Sequence, residues 1–142
     1  MLKGIPAILS PDLLKILMEM GHSDEIVLAD GNFPAAGMAQ RLIRLDGHAI
    51  PPILDAVLKF FPLDTYVEKP VALMGVVPGD SYVPAIQNVY REIINNYSQH
   101  TGIDEMERFA FYERARKAYA IVATGEGARY ANIILKKGVV IN

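Results

Sequence analysis

The sequence predicts an α/β fold with a mainly parallel sheet and helices on both of its faces. Three continuous apolar runs are typical of buried strands: EIVLA at 25–29, VALMGVV at 71–77 and YAIVAT at 119–124. Along the chain they alternate with amphipathic segments whose apolar residues have helical spacing. Strands and helices that alternate in this way indicate a parallel sheet that is buried on both sides.

The helices are predicted from start signals, stop signals and apolar spacing. Ser10 and Pro11 mark the start of the first helix, SPDLLKILMEMG, and Gly21 marks its end. The clearest apolar stripe belongs to VPAIQNVYREIINNY, and further helices are expected in FPAAGMAQ, PPILDAVLKFF and RFAFYERARKA. Two more strands are predicted in RLIRL and in YANIIL, the second of which follows the turn GEGAR.

The chain is expected to form a single domain over residues 1–142, because it contains no repeat, low-complexity tract or linker. Its hydrophobic fraction of 51% and its mean hydropathy of +0.20 are high for a domain of this size. This composition favours burial against other subunits, although a well-filled core would give the same values.

Charge and composition exclude several classes of function. The formal net charge is −2 and no long basic run occurs, which argues against nucleic acid as a partner. The absence of cysteine excludes disulfides, thiolate zinc sites and a cysteine nucleophile. Prolines interrupt the N-terminal segment, and the longest apolar run is far shorter than the roughly 20 residues of a membrane span. We therefore expect a soluble, cytoplasmic protein with no membrane partner.

Two polar residues flank the first predicted strand. Asp30 follows it, at the end where parallel sheets bind their ligands, and it is either a turn residue or an acceptor for vicinal hydroxyl groups. His22 follows the first helix, and it either caps that helix or transfers protons near neutral pH. His48 and His100 lie in turn-like and polar stretches, and no pair of histidines has a metal-binding spacing, so no metal site is expected.

Six segments taken together resemble the family that joins L-fucose mutarotase and D-ribose pyranase. They occur in the family's order over nearly the whole chain: MLKGIP, GHSDEIVLADGNFP, FPLDTY, RFAFYERA, IVATGE and YANIILKKGV. RFAFYERA is similar to the fucose mutarotase branch, because the ribose branch typically has histidine where Arg108 stands. Two positions depart from the pattern, since Ser23 and Ala131 stand where glycine is common.

The resemblance implies a Rossmann-like fold and a specific set of site residues. It implies that His22 transfers protons and that Asp30, Arg108, Tyr130 and Asn132 bind a monosaccharide. The implied activity is that of an isomerase, which interconverts the α and β anomers of L-fucose or a similar reducing sugar. General acid–base opening and closure of the ring accomplishes this without a metal or a cofactor.

Two alternatives to this function stay open from the sequence. One is a pyranase-type isomerase that interconverts the pyranose and furanose forms of ribose, and the other is a non-catalytic sugar-binding accessory protein. Members of the family look like pentameric rings stacked as decamers. The resemblance therefore implies a homo-oligomer, with the sugar site at or near a boundary between subunits.

Overall fold

Two hydrophobic cores lie on the two faces of one six-stranded sheet. The computed structural model describes all residues, 1–142. The strands are β1 (Glu25–Ala29), β2 (Leu42–Leu45), β3 (Val71–Met74), β4 (Ile103–Met106), β5 (Ala120–Thr124) and β6 (Ile133–Lys136). The helices are α1 (Pro11–Glu19), α2 (Ala35–Met38), α3 (Ile50–Leu58), α4 (Ala85–Asn95) and α5 (Arg108–Lys117).

The sheet is mainly parallel, as predicted. Its strand order is β2-β5-β1-β6-β3-β4. β5 pairs in parallel with both β1 and β2, and β3 pairs in parallel with β4. Only β6 runs the other way, because it is antiparallel to its neighbours β1 and β3. The turn GEGAR therefore does not join adjacent strands, since β1 lies between β5 and β6.

The side chains of the central strand β1 alternate between the two faces of the sheet and so contribute to both cores. Ile26 and Leu28 face a large core that also receives buried residues of α1, α3 and α4. Val27 and Ala29 face a smaller core that α2 and α5 cover. Because successive side chains of a strand point to opposite faces, a continuous apolar run is what such a doubly covered strand requires. Helices on both faces were predicted for this reason.

Three expectations about the strands need correction. The polar segment IDEM forms β4, which the sequence did not predict because an edge strand needs no continuous apolar run. VALMGVV is a strand only as far as Met74. YANIIL begins its strand at Ile133, because Tyr130 has a φ of 56°, in the left-handed region, and so cannot be extended.

The direction of the strands gives the sheet two chemically different edges. The carboxyl edge is where the parallel strands β1, β3 and β5 end and where the antiparallel β6 begins. The amino edge is the opposite one, where β1 begins and β6 ends. No helix in the structure is both long enough and apolar enough to cross a membrane.

Candidate active site

A pocket opens at the carboxyl edge, where the sequence places ligand binding. Its volume is about 240 Å³, somewhat below the roughly 300–1,000 Å³ typical of drug-sized ligands. Four of the five predicted site residues line it. The complete lining consists of Asp30, Asn32, Phe33, Met74, Val77, Arg108, Tyr112, Arg129, Tyr130 and Asn132.

Asp30 and Asn132 form the floor of this pocket and hold each other in place. Both residues are buried, with exposed fractions of 8% and 4%. The backbone N–H of Asp30 donates to Oδ1 of Asn132 over 2.8 Å. Because that oxygen is engaged, Asn132 can offer a ligand only the N–H groups of its amide nitrogen, which also lies close to the Asp30 carboxyl group. Asp30 Oδ1 also accepts from the backbone N–H of Asn32 at 3.0 Å, so Asp30 is a turn residue as well as a pocket residue.

Burial raises the pKa of the Asp30 carboxyl group. Hydrogen bonds from Asn32, Phe33 and Asn132 act in the opposite direction, and the nearby charge of Glu126 adds to the increase. Desolvation favours the neutral form of a carboxyl group, so Asp30 takes up a proton more readily than an exposed aspartate does. A raised pKa of this kind at a pocket is typical of a functional carboxylate.

Arg108 reaches the pocket from the first turn of α5. Glu107 caps that helix, because its carboxylate accepts from the backbone N–H groups of Phe109 and Ala110 at 2.9 and 3.0 Å. The Arg108 side chain is exposed, its guanidinium lies 4.6 Å from the ring centre of Phe109, and it takes part in none of the salt bridges. Its planar set of donors is therefore available to a ligand.

Tyr130 belongs to the pocket wall, but its hydroxyl group is already engaged. It donates to Asp80 Oδ2 at 2.6 Å and accepts from the backbone N–H of Val77 at 3.3 Å. The bond to Asp80 raises the pKa of Tyr130 and lowers that of Asp80. Arg129 lies near Asp80 and over the ring of Tyr82, which in turn stacks on Tyr130 at 6.0 Å. Tyr130 therefore offers a ligand mainly its ring.

His22 lies at the amino edge, away from the other four predicted residues. It precedes β1 by three positions, whereas Asp30 follows β1 directly. The strand between them spans roughly 17 Å, at about 3.3 Å per residue. His22 is not the C-cap of α1, because that position is occupied by Met20. Instead its Nε2 lies 3.1 Å from Oδ1 of the buried Asp64.

Sequence reasoning missed several pocket residues for which a signal existed. Tyr112 stands four positions after Arg108 on α5, and residues with this spacing share one helix face. Asn32 belongs to the turn that Asp30 starts. Asp80 stands behind the pocket wall in the segment PGD, and nothing in the sequence indicates its bond to Tyr130, which is fifty positions away.

A second, larger cavity adjoins the pocket. Its volume is about 720 Å³, and it shares Val77 and Arg108 with the pocket. Gln87, on its other side, is buried and donates to the backbone oxygens of Met74 and Tyr130. The pocket therefore lies at one end of a longer open groove. The structure contains no cluster of three or more histidine or carboxylate side chains that could hold a metal ion.

Comparison with protein families identifies the class of protein. The model of the RbsD / FucU transport protein family matches residues 3–140. The chain belongs to this family. The resemblance inferred from the six sequence segments is thereby confirmed.

Individual relatives are similar over their whole length. The human fucose mutarotase is 53% identical over 144 residues, which cover 97% of this chain and 94% of that protein. The L-fucose mutarotase of Actinobacillus pleuropneumoniae is 49% identical, over 98% of this chain and 97% of its own.

Solved structures confirm the predicted fold class and separate two branches. The fucose mutarotase from Streptococcus pneumoniae, in complex with L-fucose, matches with a TM-score of 0.95 and 56% identity, over 99% of this chain and 100% of that one. RbsD from Bacillus subtilis, complexed with D-ribose, matches with a TM-score of 0.72 and 25% identity, over 99% and 100% of the two chains. The chain is thus more similar to the fucose-bound structure than to the ribose-bound one.

Replacing Asp30 by asparagine tests the burial of its charge. The raised pKa means that the carboxyl group of Asp30 destabilises the fold at pH 7, where it is ionised in the unfolded chain, and not below the ordinary aspartate pKa of about 3.9, where the folded and unfolded states are both protonated. Asp30→Asn should therefore raise the Tm at pH 7, and the difference should shrink as the pH falls toward 4. Thermal unfolding of both proteins across this range measures it.

Asp46→Asn is the matched control. In the unmodified protein the hydrogen bond from Arg44 lowers the pKa of Asp46. The stability that the ionised Asp46 contributes is therefore present at pH 7 and is lost on acidification. The control should therefore lose stability at pH 7. If the difference in Tm between Asp30→Asn and the unmodified protein is the same at all pH values, the charge of Asp30 does not destabilise the fold.

Proposed function

We propose that the protein catalyses the interconversion of the α and β anomers of L-fucose, which is an isomerase reaction. The observation that carries the proposal is the similarity, over the whole chain, to relatives and to a fucose-bound structure that bear the name fucose mutarotase. The pocket at the carboxyl edge is the place where we expect the sugar to bind.

The polar groups of the pocket suit a neutral monosaccharide. Asp30 accepts hydrogen bonds, Arg108 only donates them, and Asn132 can donate through its amide nitrogen. The ring of Tyr130 provides an apolar surface for the carbon face of the sugar. Arg129 lies beside the carboxylate of Asp80 and Arg108 lies next to Glu107, so the pocket carries little net positive charge, whereas a sugar phosphate would require more.

The reaction consists of proton transfers and one bond rotation. A proton leaves the anomeric hydroxyl group, a proton is delivered to the ring oxygen, the bond between C1 and the ring oxygen breaks, and a carbonyl group forms at C1. Rotation about the C1–C2 bond presents the other face of the carbonyl, and the steps then run in reverse. Nothing is oxidised or reduced, so the proposal requires no cofactor. A well-placed acid–base group contributes about 10²–10⁴ in rate.

His22 is the group that we assign to proton transfer, and it has to come from a neighbouring subunit. In one chain β1 separates it from Asp30, so His22 cannot reach a sugar held by Asp30 and Asn132 of the same chain. The amino edge of one subunit would instead meet the carboxyl edge of the next. Such a head-to-tail contact gives a ring when its rotation closes, and the pentameric ring or decamer implied by the family resemblance is the assembly that we propose.

The surface of the amino edge supports such a contact. The chain reaches this edge at the ends of α1 and α3, before β3 and after β6. Large apolar side chains are exposed in all of these places, namely Met18, Phe60, Tyr66, Val67, Val140 and Ile141. Apolar patches of this kind usually mark interfaces. The groove beside the pocket is open space that a neighbour's edge could fill. We place the protein in the cytoplasm, where free reducing sugars are metabolised.

Anomer-exchange NMR tests the activity directly. Magnetisation-transfer spectra of L-fucose, D-ribose and D-galactose would be recorded with and without the protein. We expect the largest acceleration for L-fucose. Binding without any change in the exchange rate would indicate a sugar-binding accessory protein, and faster exchange of ribose would indicate a pyranase. The lower similarity to the ribose-bound structure disfavours the pyranase.

Mixed assemblies test the shared site. The variants His22→Ala and Arg108→Ala should each be nearly inactive, because each site lacks one essential group. Co-expressed with different tags and purified through both tags, they should recover activity. In a randomly mixed head-to-tail ring, about one site in four combines an intact His22 with an intact Arg108. The exchange rate per chain should therefore reach about a quarter of that of the unmodified protein.

The control is Arg108→Ala mixed with the double variant His22→Ala/Arg108→Ala, in which no site contains an intact arginine and no recovery is expected. Light scattering on the same samples measures the assembly. A monodisperse monomer of 15.7 kDa with full activity would contradict both the ring and the shared site.

Arg108→His tests the residue that separates the two branches of the family. It replaces a planar, always charged donor by a smaller group that can also accept. Exchange of L-fucose should fall by about ten- to a hundredfold, which corresponds to the ~1.5–3 kcal/mol of a hydrogen bond to a charged group. Exchange of D-ribose should fall less or rise. Unchanged fucose exchange would show that Arg108 does not determine specificity.

A further inference from the structure

We propose that Asp64 is a positioning residue that holds His22 with a proton on Nε2, so that Nδ1 is the atom that exchanges protons with the sugar. Asp64 touches no pocket residue and acts only through His22. The inference rests on the proposed function for the role of His22, whereas the protonation pattern of the imidazole can be measured without any activity.

Asp64 is a fixed and buried acceptor. It is 3% exposed, and its backbone N–H donates to the oxygen of Lys136 at 3.0 Å. Its Oδ1 accepts from the backbone N–H of Tyr66 at 3.0 Å and lies 3.1 Å from Nε2 of His22. These bonds hold both the backbone and the carboxylate of Asp64 in place. The carboxylate is therefore a fixed partner that orients the imidazole of His22.

The charge state of Asp64 determines which partner donates. Burial by itself would raise the pKa of Asp64, but the hydrogen bonds from Tyr66 and His22 and the charge of Lys136 outweigh burial and lower it. The carboxylate is therefore ionised at neutral pH and can only accept. The proton in the bond between His22 and Asp64 consequently lies on Nε2.

The opposite nitrogen of the imidazole is then the reactive one. A neutral imidazole with a proton on Nε2 has its lone pair on Nδ1. The side chain of His22 is 41% exposed, so the ring also presents a surface to solvent or to a neighbouring subunit. When Nδ1 takes a proton from the anomeric hydroxyl group, the carboxylate of Asp64 stabilises the imidazolium ion that forms. The same Nδ1 can give the proton to the ring oxygen.

The surroundings of His22 restrict rotation of its ring. The ring centre of Tyr66 lies 5.2 Å from that of His22 at an interplanar angle of 55°. The backbone is fixed on both sides, since Gly21 donates to the carboxylate of Asp24 at 2.8 Å and Ser23 donates to the oxygen of Lys137 at 2.9 Å. Ser23 has a φ of 74°, in the left-handed region, which accounts for the preference for glycine there.

Nitrogen NMR of the histidine side chains measures the tautomer. Protein with ¹⁵N-labelled histidine would be observed by long-range ¹H–¹⁵N correlation at alkaline pH. We expect His22 to be protonated on Nε2 alone, and His48→Gln and His100→Gln assign the other two signals. A proton on Nδ1, or a rapidly exchanging mixture of tautomers, would overturn the proposal.

Asp64→Asn tests the consequence for the reaction. An amide can also donate to Nε2, which permits the tautomer with the proton on Nδ1, and it does not stabilise the imidazolium ion. We expect kcat for L-fucose exchange to fall by about a hundredfold while KM stays within a fewfold, because Asp64 touches no sugar-binding group. Asp55→Asn removes a distant carboxylate that accepts from Tyr97 and should leave both constants unchanged.

A rise in KM with unchanged kcat in Asp64→Asn would contradict the positioning role. If the variant does not fold, the tautomer of the unmodified protein still decides the question. A protein that shows the Nε2 tautomer but accelerates no anomer exchange would refute the proposed function and leave the pairing intact. An active protein with the other tautomer would refute only the role of Asp64.

Discussion

The buried hydrogen bond between the backbone of Asp30 and the side chain of Asn132 joins two parts of the chain that are 102 positions apart. It connects the end of β1 to the segment that enters β6, at the point where these antiparallel neighbours separate. Two further bonds reinforce the same edge, from Thr124 Oγ1 to the oxygen of Ala29 at 2.7 Å and from Gly31 to the oxygen of Glu126 at 2.8 Å. Without these bonds the pocket would have no fixed floor.

This fixed edge also explains the conformation of Tyr130. The chain must turn sharply between Arg129 and Asn132 in order to enter β6 in the antiparallel direction, and Tyr130 makes the turn with a positive φ. The cost of a left-handed non-glycine residue, of order 1 kcal/mol, is offset by the contacts of its side chain with Asp80 and Tyr82. The same residue thus shapes the backbone and forms a wall of the pocket.

The sequence predicted the parts of the molecule that depend on local patterns. The apolar residues of β1 and β5 are buried, as their continuous runs predict, and Tyr90 and Ile94 of the apolar stripe of α4 are buried as well, whereas Val89 of that stripe is exposed. β4 was missed because it lies at the edge of the sheet, where Asp104 is only half-buried and Glu105, on the other face, is exposed. Its position depends on pairing with β3 and leaves no periodic signal in the sequence.

The candidate site was predictable only in part for a related reason. Asp30 follows a strand, and its place at the carboxyl edge can be inferred from that alone. The partnership of His22 with Asp64 cannot, because the two residues are 42 positions apart and meet through the folding of FPLDTY against the end of β6. The family resemblance named His22 as a candidate, and the predicted strand already stood between it and Asp30 in the sequence, but nothing there indicated that the fold leaves the two residues at opposite edges of the sheet.

In the ring that we propose, the position of His22 and Asp30 at opposite ends of one short strand would make every subunit both a donor and an acceptor of catalytic groups. In an open row of n subunits the last pocket has no neighbour, so such a row contains n − 1 complete sites, whereas a closed ring contains n. Closure therefore adds a working site as well as a contact. Selection for catalytic efficiency and selection for a symmetric assembly would then act on the same surface, and neither edge could change without consequences for the other.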